Sequence, residues 1–216
     1  GPAYLSTWLH DEGVAFEVRN TDAGHDYPTS MAGYRALAVL GGEMSANDEM
    51  PSLRQAERLI LDAMQRGLPV IGHCLGGQLM ARALGARIDP SPAPEIGWST
   101  IRVHDTPVAR HWFGRSGDIG VFQWHGEAFE LPAGAQALAS SADCPNQAFA
   151  IGPHLAMQFH VELDADKLER WSHDSDPHFL RLQSECPSVQ TGAAMRAQAG
   201  EGLAAQQGLA ARLYRL

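Results

Sequence analysis

The chain is poor in cysteine, with three in 216 residues and no regular spacing between them. That excludes a small disulfide-framed domain and implies a reducing, cytoplasmic setting. It also lacks an excess of positive charge. The formal net charge is -9, so there is no electrostatic footprint for a phosphate backbone and no nucleic-acid partner is expected. No apolar run reaches membrane-spanning length, and no charged-then-apolar leader opens the sequence, so no membrane partner is expected either. His10, His25, His104, His111, His154, His173 and His178 are scattered without the close spacing of a zinc site; no metal is expected. Nothing implies an organic cofactor. Internal repeats and low-complexity tracts are absent, as are a Gly-x-x-x-x-Gly-Lys phosphate loop and a Ser-Gly-Gly run of the ATP-pyrophosphatase kind.

What is present is enough apolar residue, 44% of the chain, for one sizeable core. The most informative stretch is Gly72-His73-Cys74-Leu75-Gly76-Gly77-Gln78. It follows the apolar run Leu68-Pro69-Val70-Ile71 and precedes the helix-like run Gln78 to Leu84, and so reads as a strand turning sharply into a helix with Cys74 at the apex. Glycines on both sides are needed because β-carbons there clash with the facing backbone. A thiol at a helix start lies near unpaired N–H groups and the positive dipole end, which favour thiolate. The alternative is a structural cysteine beside helix-packing glycines.

A second signal lies in Ala156-Met157-Gln158-Phe159-His160-Val161-Glu162, an apolar strand-like run ending in His-x-Glu. Residues i and i+2 of a strand share a face, so Glu162 can orient the imidazole of His160. Cysteine, histidine and acid then supply the parts of a triad. Without Cys74, the pair reads equally well as a hydrogen-bonded core histidine and a capping acid.

Together these segments resemble the class I glutamine amidotransferases, whose pattern is Gly-x-Cys-x-Gly-x-Gln followed much later by His-Pro-Glu. Leu40 to Glu49 is similar to the family's glycine loop, Val121-Phe122-Gln123-Trp124-His125-Gly126-Glu127 to its His-Gly segment, and Cys144-Pro145-Asn146-Gln147-Ala148-Phe149 to free-standing members related to the glutaminase part of GMP synthase. Two departures stand out. Glu43 and Val161 replace prolines of the pattern, which removes preset backbone but no reacting atom.

The helix and strand signals imply a three-layer, flavodoxin-like α/β/α fold with a doubly wound, mostly parallel sheet and a small antiparallel insertion. Tyr4 to Asp11 reads as a helix, Val14 to Val18 as a strand, Ala36 to Leu40 as a buried strand and Pro51 to Arg66 as a helix stopped by Gly67. Thr100 to Val103 and Ile119 to Phe122 read as short β pieces, and Asp89 to Pro94 as a stiff surface loop. Thr191 to Leu216, with Leu203, Leu209, Leu213 and Leu216, should be helical and weakened by Gly202 and Gly208. Residues 1–216 are expected to form one domain. Because that fold normally opens on an apolar strand and this sequence opens on Gly1-Pro2-Ala3-Tyr4-Leu5, a first strand is expected to be missing before residue 1.

The resemblance implies hydrolysis of the glutamine side-chain amide. Cys74 is the expected nucleophile, His160 the proton carrier and Glu162 its orienting acid. Leu75, just after the nucleophile, should supply one oxyanion-hole N–H, and the resemblance assigns the other to Gly42. It also places Gln78, Trp124, His125 and Gly126 around the substrate, although Trp124 and His125 could equally be core residues with polar tips. His73 is expected to pack or gate rather than act as the base, and Cys144 and Cys186 to be bystanders. Ammonia would pass to a partner synthase subunit. A free-standing γ-glutamyl hydrolase acting on peptides or conjugates is the alternative, and a non-catalytic binding or regulatory domain is an alternative of another class.

Overall fold

A computed structural model describes residues 1–215. Its elements run α1 (Tyr4–Asp11), β1 (Leu37–Val39), α2 (Pro51–Gln65), β2 (Val70–His73), α3 (Leu75–Ala83), β3 (Ile88–Val103), α4 (Pro107–Phe113), β4 (Gly117–Phe129), β5 (Gln136–Ser140), β6 (Ala148–Ile151), β7 (His154–Met157), α5 (Ala165–Ser172), α6 (Pro177–Glu185), α7 (Gly192–Ala197) and α8 (Ala199–Leu213). Pro51 opens α2 because proline's fixed φ and missing N–H suit the first helical position. The Thr106 and Asp164 side chains cap α4 and α5 by accepting backbone N–H groups.

The strands form one sheet in the order β1-β2-β7-β6-β5-β3-β4. It is mixed, not mostly parallel. Only β1 with β2 and β2 with β7 pair parallel; the other four pairings are antiparallel. The reason lies in the connections: Gly152 and Pro153 alone link β6 to β7, whereas a parallel crossover takes about a dozen residues or more. Helix–strand alternation ends at α4, after which β4 to β7 follow without a helix between them, and β3 and β4 pair as a long antiparallel ribbon.

Three further expectations are corrected. Val14 to Val18 forms no strand, and its apolar side chains Val14, Phe16 and Val18 are exposed. The alternation is there, but no strand lies alongside to supply hydrogen bonds, and the Val14 N–H closes the end of α1 on the Leu9 carbonyl. Asp89 to Pro94 belongs to β3 rather than to a free loop. Its pairing with β4 shifts register between Pro90 and Glu95, an irregularity of the kind that tolerates proline. The C-terminal helical stretch is split into α7 and α8; the Leu216 position of its leucine set lies outside the described residues. Gly202 has a packing reason, since a β-carbon there would stand 2.8 Å from the Trp98 indole.

Alternating strand residues feed two cores on opposite faces of the sheet. Ile71, Leu155 and Met157 join the core beneath α1, α4 and α8, while Val70 and Ala156 join the core beneath α2 and α3. A third cluster, with Phe122, Leu168, Phe179 and Met195, lies under α5 to α7. The parallel strands β1, β2 and β7 therefore deliver their C-terminal ends, and the turns that follow them, to one rim of the sheet.

Candidate active site

Cys74 sits on that rim between β2 and α3, with φ 50° and ψ -111°. This left-handed backbone is costly for any residue with a β-carbon, so the surrounding structure must enforce it. The enforcement is visible. The Cys74 N–H donates to the Met157 carbonyl at 2.8 Å, and α3 lies so close to β1 that a β-carbon on Gly76 would stand 2.0 Å from the Val39 carbonyl oxygen. The Cys74 sulfur is buried against the Trp124 carbonyl at 3.5 Å and the Gln158 amide nitrogen at 3.7 Å.

His160 and Glu162 follow β7. The strand ends at Met157, so the pair lies not on a strand but in a turn that the Leu163 N–H closes on the His160 carbonyl. The expected proximity survives this change of backbone. His160 Nδ1 donates to Glu162 Oε1 at 2.7 Å, and both side chains are buried. Gly41, in the loop after β1, lies directly against the ring: a β-carbon there would stand 2.9 Å from His160 Cε1 and 3.7 Å from the Cys74 β-carbon. His160 and Cys74 thus flank one glycine. Burial disfavours a charged ring, yet the Glu162 carboxylate and the Cys74 sulfur overcome it and push the His160 pKa up to about 9. His160 Nε2 itself is buried without a hydrogen-bond partner. Burial opposes ionisation of Glu162 too, but His160 and Lys167 hold its carboxyl well below the usual range.

The remaining expected residues separate into groups. Gly42 lies against Leu75, whose Cδ2 would stand 3.1 Å from a β-carbon on that glycine. Leu75 opens α3, where a backbone N–H has no intrahelical acceptor. Gln78 is buried and donates to the Glu127 carbonyl at 3.0 Å. Trp124 turns its carbonyl to Cys74 and its indole to Trp171 and Phe179. The His125 ring points into a buried polar cluster with Glu95 Oε1 and the Glu127 carbonyl each at 3.0 Å, and Gly126 is exposed. His73 packs on Tyr214, just after α8, with Nε2 3.1 Å from the hydroxyl, and burial drives its pKa down to about 4.

Sequence reasoning missed Lys167, Trp171 and the Glu95 cluster. Lys167 Nζ lies 2.8 Å from Glu162 Oε1, and Trp171 stands edge-on to His160 with ring centroids 4.9 Å apart. The spacing of Glu162 and Lys167 across a capped helix start was a readable signal for the first. For Glu95 there was none, because only the β3–β4 register places it opposite His125. Glu95, His125 and Cys144 bring possible metal-ligating atoms within 4.8 Å of one another. Each is already engaged: Glu95 accepts from His125, Ser141 and Gln147, and the Cys144 thiol, raised to about 12 by burial, donates to Asn146.

A family profile described as Glutamine amidotransferase class-I matches residues 4–170. The chain belongs to that family. The glutamine amidotransferase-like protein YfeJ of Salmonella typhimurium is 33% identical over 177 residues, 77% of this chain and 72% of that protein. The glutamine-hydrolysing GMP synthase of Thermomicrobium roseum is 32% identical over 139 residues, 63% of this chain but 26% of its own length. Among solved structures, a glutamine amidotransferase from Methylobacillus flagellatus superposes with a TM-score of 0.91 at 32% identity, covering 99% of this chain and 88% of that one. One from Thermotoga maritima gives a TM-score of 0.84 at 26% identity, covering 98% and 90%. The amidotransferase family thus accounts for the mixed α/β fold. Among the described residues, no helix is long and apolar enough to cross a membrane.

Proposed function

We propose that this amidotransferase-family chain hydrolyses a γ-glutamyl amide, with the side-chain amide of glutamine as its first substrate. The observation that carries the reading is a buried imidazole bonded to the Glu162 carboxylate and separated by Gly41 from a cysteine in strained backbone. Cys74 as thiolate attacks the amide carbon, and the N–H groups of Gly42 and Leu75 hold the oxyanion. His160 gives its proton to the departing nitrogen as the C–N bond breaks, leaving a γ-glutamyl thioester. It then takes a proton from water, which attacks the thioester and expels the thiolate, releasing glutamate. Glu162 orients the ring throughout. Gln78, Trp124, His125 and Gly126 border the glutamine, Trp124, His125 and Gly126 through their backbone.

The destination of the ammonia is part of the same proposal. The GMP synthase relative is far longer than this chain, and a separate synthase subunit is the acceptor that fits. One observation favours a second reading, a free-standing γ-glutamyl hydrolase: Trp171, Trp124 and Phe179 form an aromatic cluster, and Trp171 stands edge-on to His160. Such a cluster suits an amine larger than ammonia.

Release of glutamate and ammonia from glutamine, measured beside γ-glutamyl dipeptides and γ-glutamyl anilide, tests both. Turnover of glutamine supports the first reading, and turnover of the larger amides alone supports the second. No turnover of any of them, with candidate synthase partners present, refutes both in favour of a binding or regulatory domain.

A further inference from the structure

Lysine occurs once in the 216 residues, at position 167; all other Lys/Arg positions are arginine. That single lysine is not a surface charge. It is 7% exposed, on the first turn of α5. Local chemistry explains its direction. Asp164 caps α5 by accepting the Lys167 N–H at 2.8 Å, and side chains on a helix lean toward its N-terminus, so the Lys167 stem points back at the turn that carries Glu162. Its Nζ reaches Glu162 Oε1 at 2.8 Å, the same oxygen that accepts from His160 Nδ1 at 2.7 Å. It also lies 4.7 Å from the centroid of the Trp171 ring, which is edge-on to His160. Lysine, carboxylate, imidazole and indole close a ring of contacts.

Stability alone is a weak reason for this arrangement, because buried ion pairs are often matched by apolar residues of similar size. The reaction supplies a stronger one. His160 must hold a proton for the leaving amine and then be free to take another from water, and a lone buried carboxylate would favour only the charged ring. We propose that Lys167 is a positioning residue of the Cys74–His160 pair: its ammonium fixes Glu162 through the oxygen shared with His160 and offsets part of the carboxylate's charge, so that the imidazole releases its proton more readily. This rests on the roles given to Cys74 and His160 above. The other ionisable groups acting on this part of the site are Cys74 from the elbow, His73 from β2, the Gly1 amine beside Lys167 and Glu162, and the hydroxyl of Tyr214, just after α8, behind His73. Among the described residues, Lys167 is the one lysine or arginine in contact with Glu162.

The test reads the Cys74–His160 pair without a substrate. Alkylation of Cys74 by iodoacetamide is followed against pH in the full chain, with peptide mass mapping to separate Cys74 from Cys186, and γ-glutamyl hydrolysis is followed in parallel. The alkylation rate changes when the imidazolium beside the sulfur loses its proton. In Lys167→Met that alkaline step should move up by about one pH unit, with hydrolysis near neutral pH reduced about tenfold. Lys167→Arg, which keeps the charge, should return the step toward its original position. Should Lys167→Met not fold, Lys167→Gln makes the same comparison, with a donor but no charge. An unmoved or acid-shifted step in the uncharged variant overturns the proposal, as does Lys167→Arg behaving like the uncharged variant or the absence of any alkaline step in the unaltered protein. Normal alkylation steps with no hydrolysis of any γ-glutamyl compound overturn the reaction assigned above and leave the role of Lys167 intact.

Discussion

Gln206 of α8 donates its side-chain amide to the main-chain carbonyl of His160 at 2.9 Å, and its own oxygen accepts the Phe122 N–H at 2.7 Å. One fully buried side chain therefore ties the His160 turn to β4, from a helix beyond the family-matched residues 4–170. Gln206→Met keeps most of the volume and leaves a buried N–H and a buried carbonyl unpaired. The expected cost is about 3 kcal/mol, or roughly 6–12 °C in Tm for a chain of this length. Thermal unfolding of the variant measures it, and a Tm within about 2 °C of the unaltered protein would show that the bridge contributes nothing.

Cys74 offers a test that separates strain from chemistry. Cys74→Ser should lower γ-glutamyl hydrolysis by about three orders of magnitude or more, since an alcohol forms no useful anion at neutral pH. Cys74→Ala retains the left-handed backbone with a β-carbon, whereas Cys74→Gly relieves it. The glycine variant should be more stable than the alanine variant by about 1 kcal/mol. Denaturant midpoints of the two variants decide this, and equal midpoints would mean that the elbow stores no strain.

Stability should peak near pH 6.5. Burial lowers the His73 pKa from 6.5 to about 4, so between those values the unfolded chain binds a proton that the folded chain refuses, and stability is lost as pH falls. His160 behaves oppositely. Although burial opposes its charge, Glu162 and Cys74 raise its pKa from 6.5 to about 9, so its contribution is fully present below 6.5 and is lost as pH rises through 9. At about 1.4 kcal/mol per unit, each limb amounts to roughly 3 kcal/mol. Chemical denaturation across pH 4 to 9 checks the dome. His160→Asn should flatten its alkaline side alone, and a curve that still falls above pH 7 in that variant would assign the limb elsewhere.

Gly76→Ala places a β-carbon 2.0 Å from the Val39 carbonyl oxygen. Backbone cannot yield there without moving α3 away from β1, and overpacking of this severity costs about 3 kcal/mol or more. Gly200→Ala, where a β-carbon meets nothing within 4 Å, is the control on α8 and should stabilise by a few tenths of a kcal/mol or more. Soluble yield and Tm of the pair report the contrast; comparable values would contradict the close approach.

The site was more legible in the sequence than the sheet around it. Gly72, Cys74, Gly76 and Gln78 announce the elbow because glycine spacing encodes a close approach of backbones, a local constraint. His160 and Glu162 were also readable, although the strand expected beneath them is a turn, because a spacing of two brings side chains together in either conformation. The sheet's direction was not readable. Strand propensity carries no sign of parallel or antiparallel pairing, and only the short Gly152-Pro153 connection betrays it. Val14, Phe16 and Val18 show the same limit from the other side, since an alternating pattern records fitness for a strand and not the presence of a neighbour. Glu95 and Gln206 reach the site area through tertiary register, which a local reading does not contain, whereas Lys167 was readable from its spacing to Glu162 across the capped start of α5.

The sealing of Cys144 has a consequence for oxidative damage. A cysteine first oxidised to sulfenic acid is protected when a nearby thiolate condenses with it to a disulfide. Cys144 is fully buried, its proton is held up to about pH 12, and its thiol is turned to Asn146, so it cannot serve as that second thiolate. Peroxide that reaches Cys74 therefore meets no rescue from Cys144. Without help from another thiol, the sulfur is carried on toward the sulfinic stage, from which the reaction does not return.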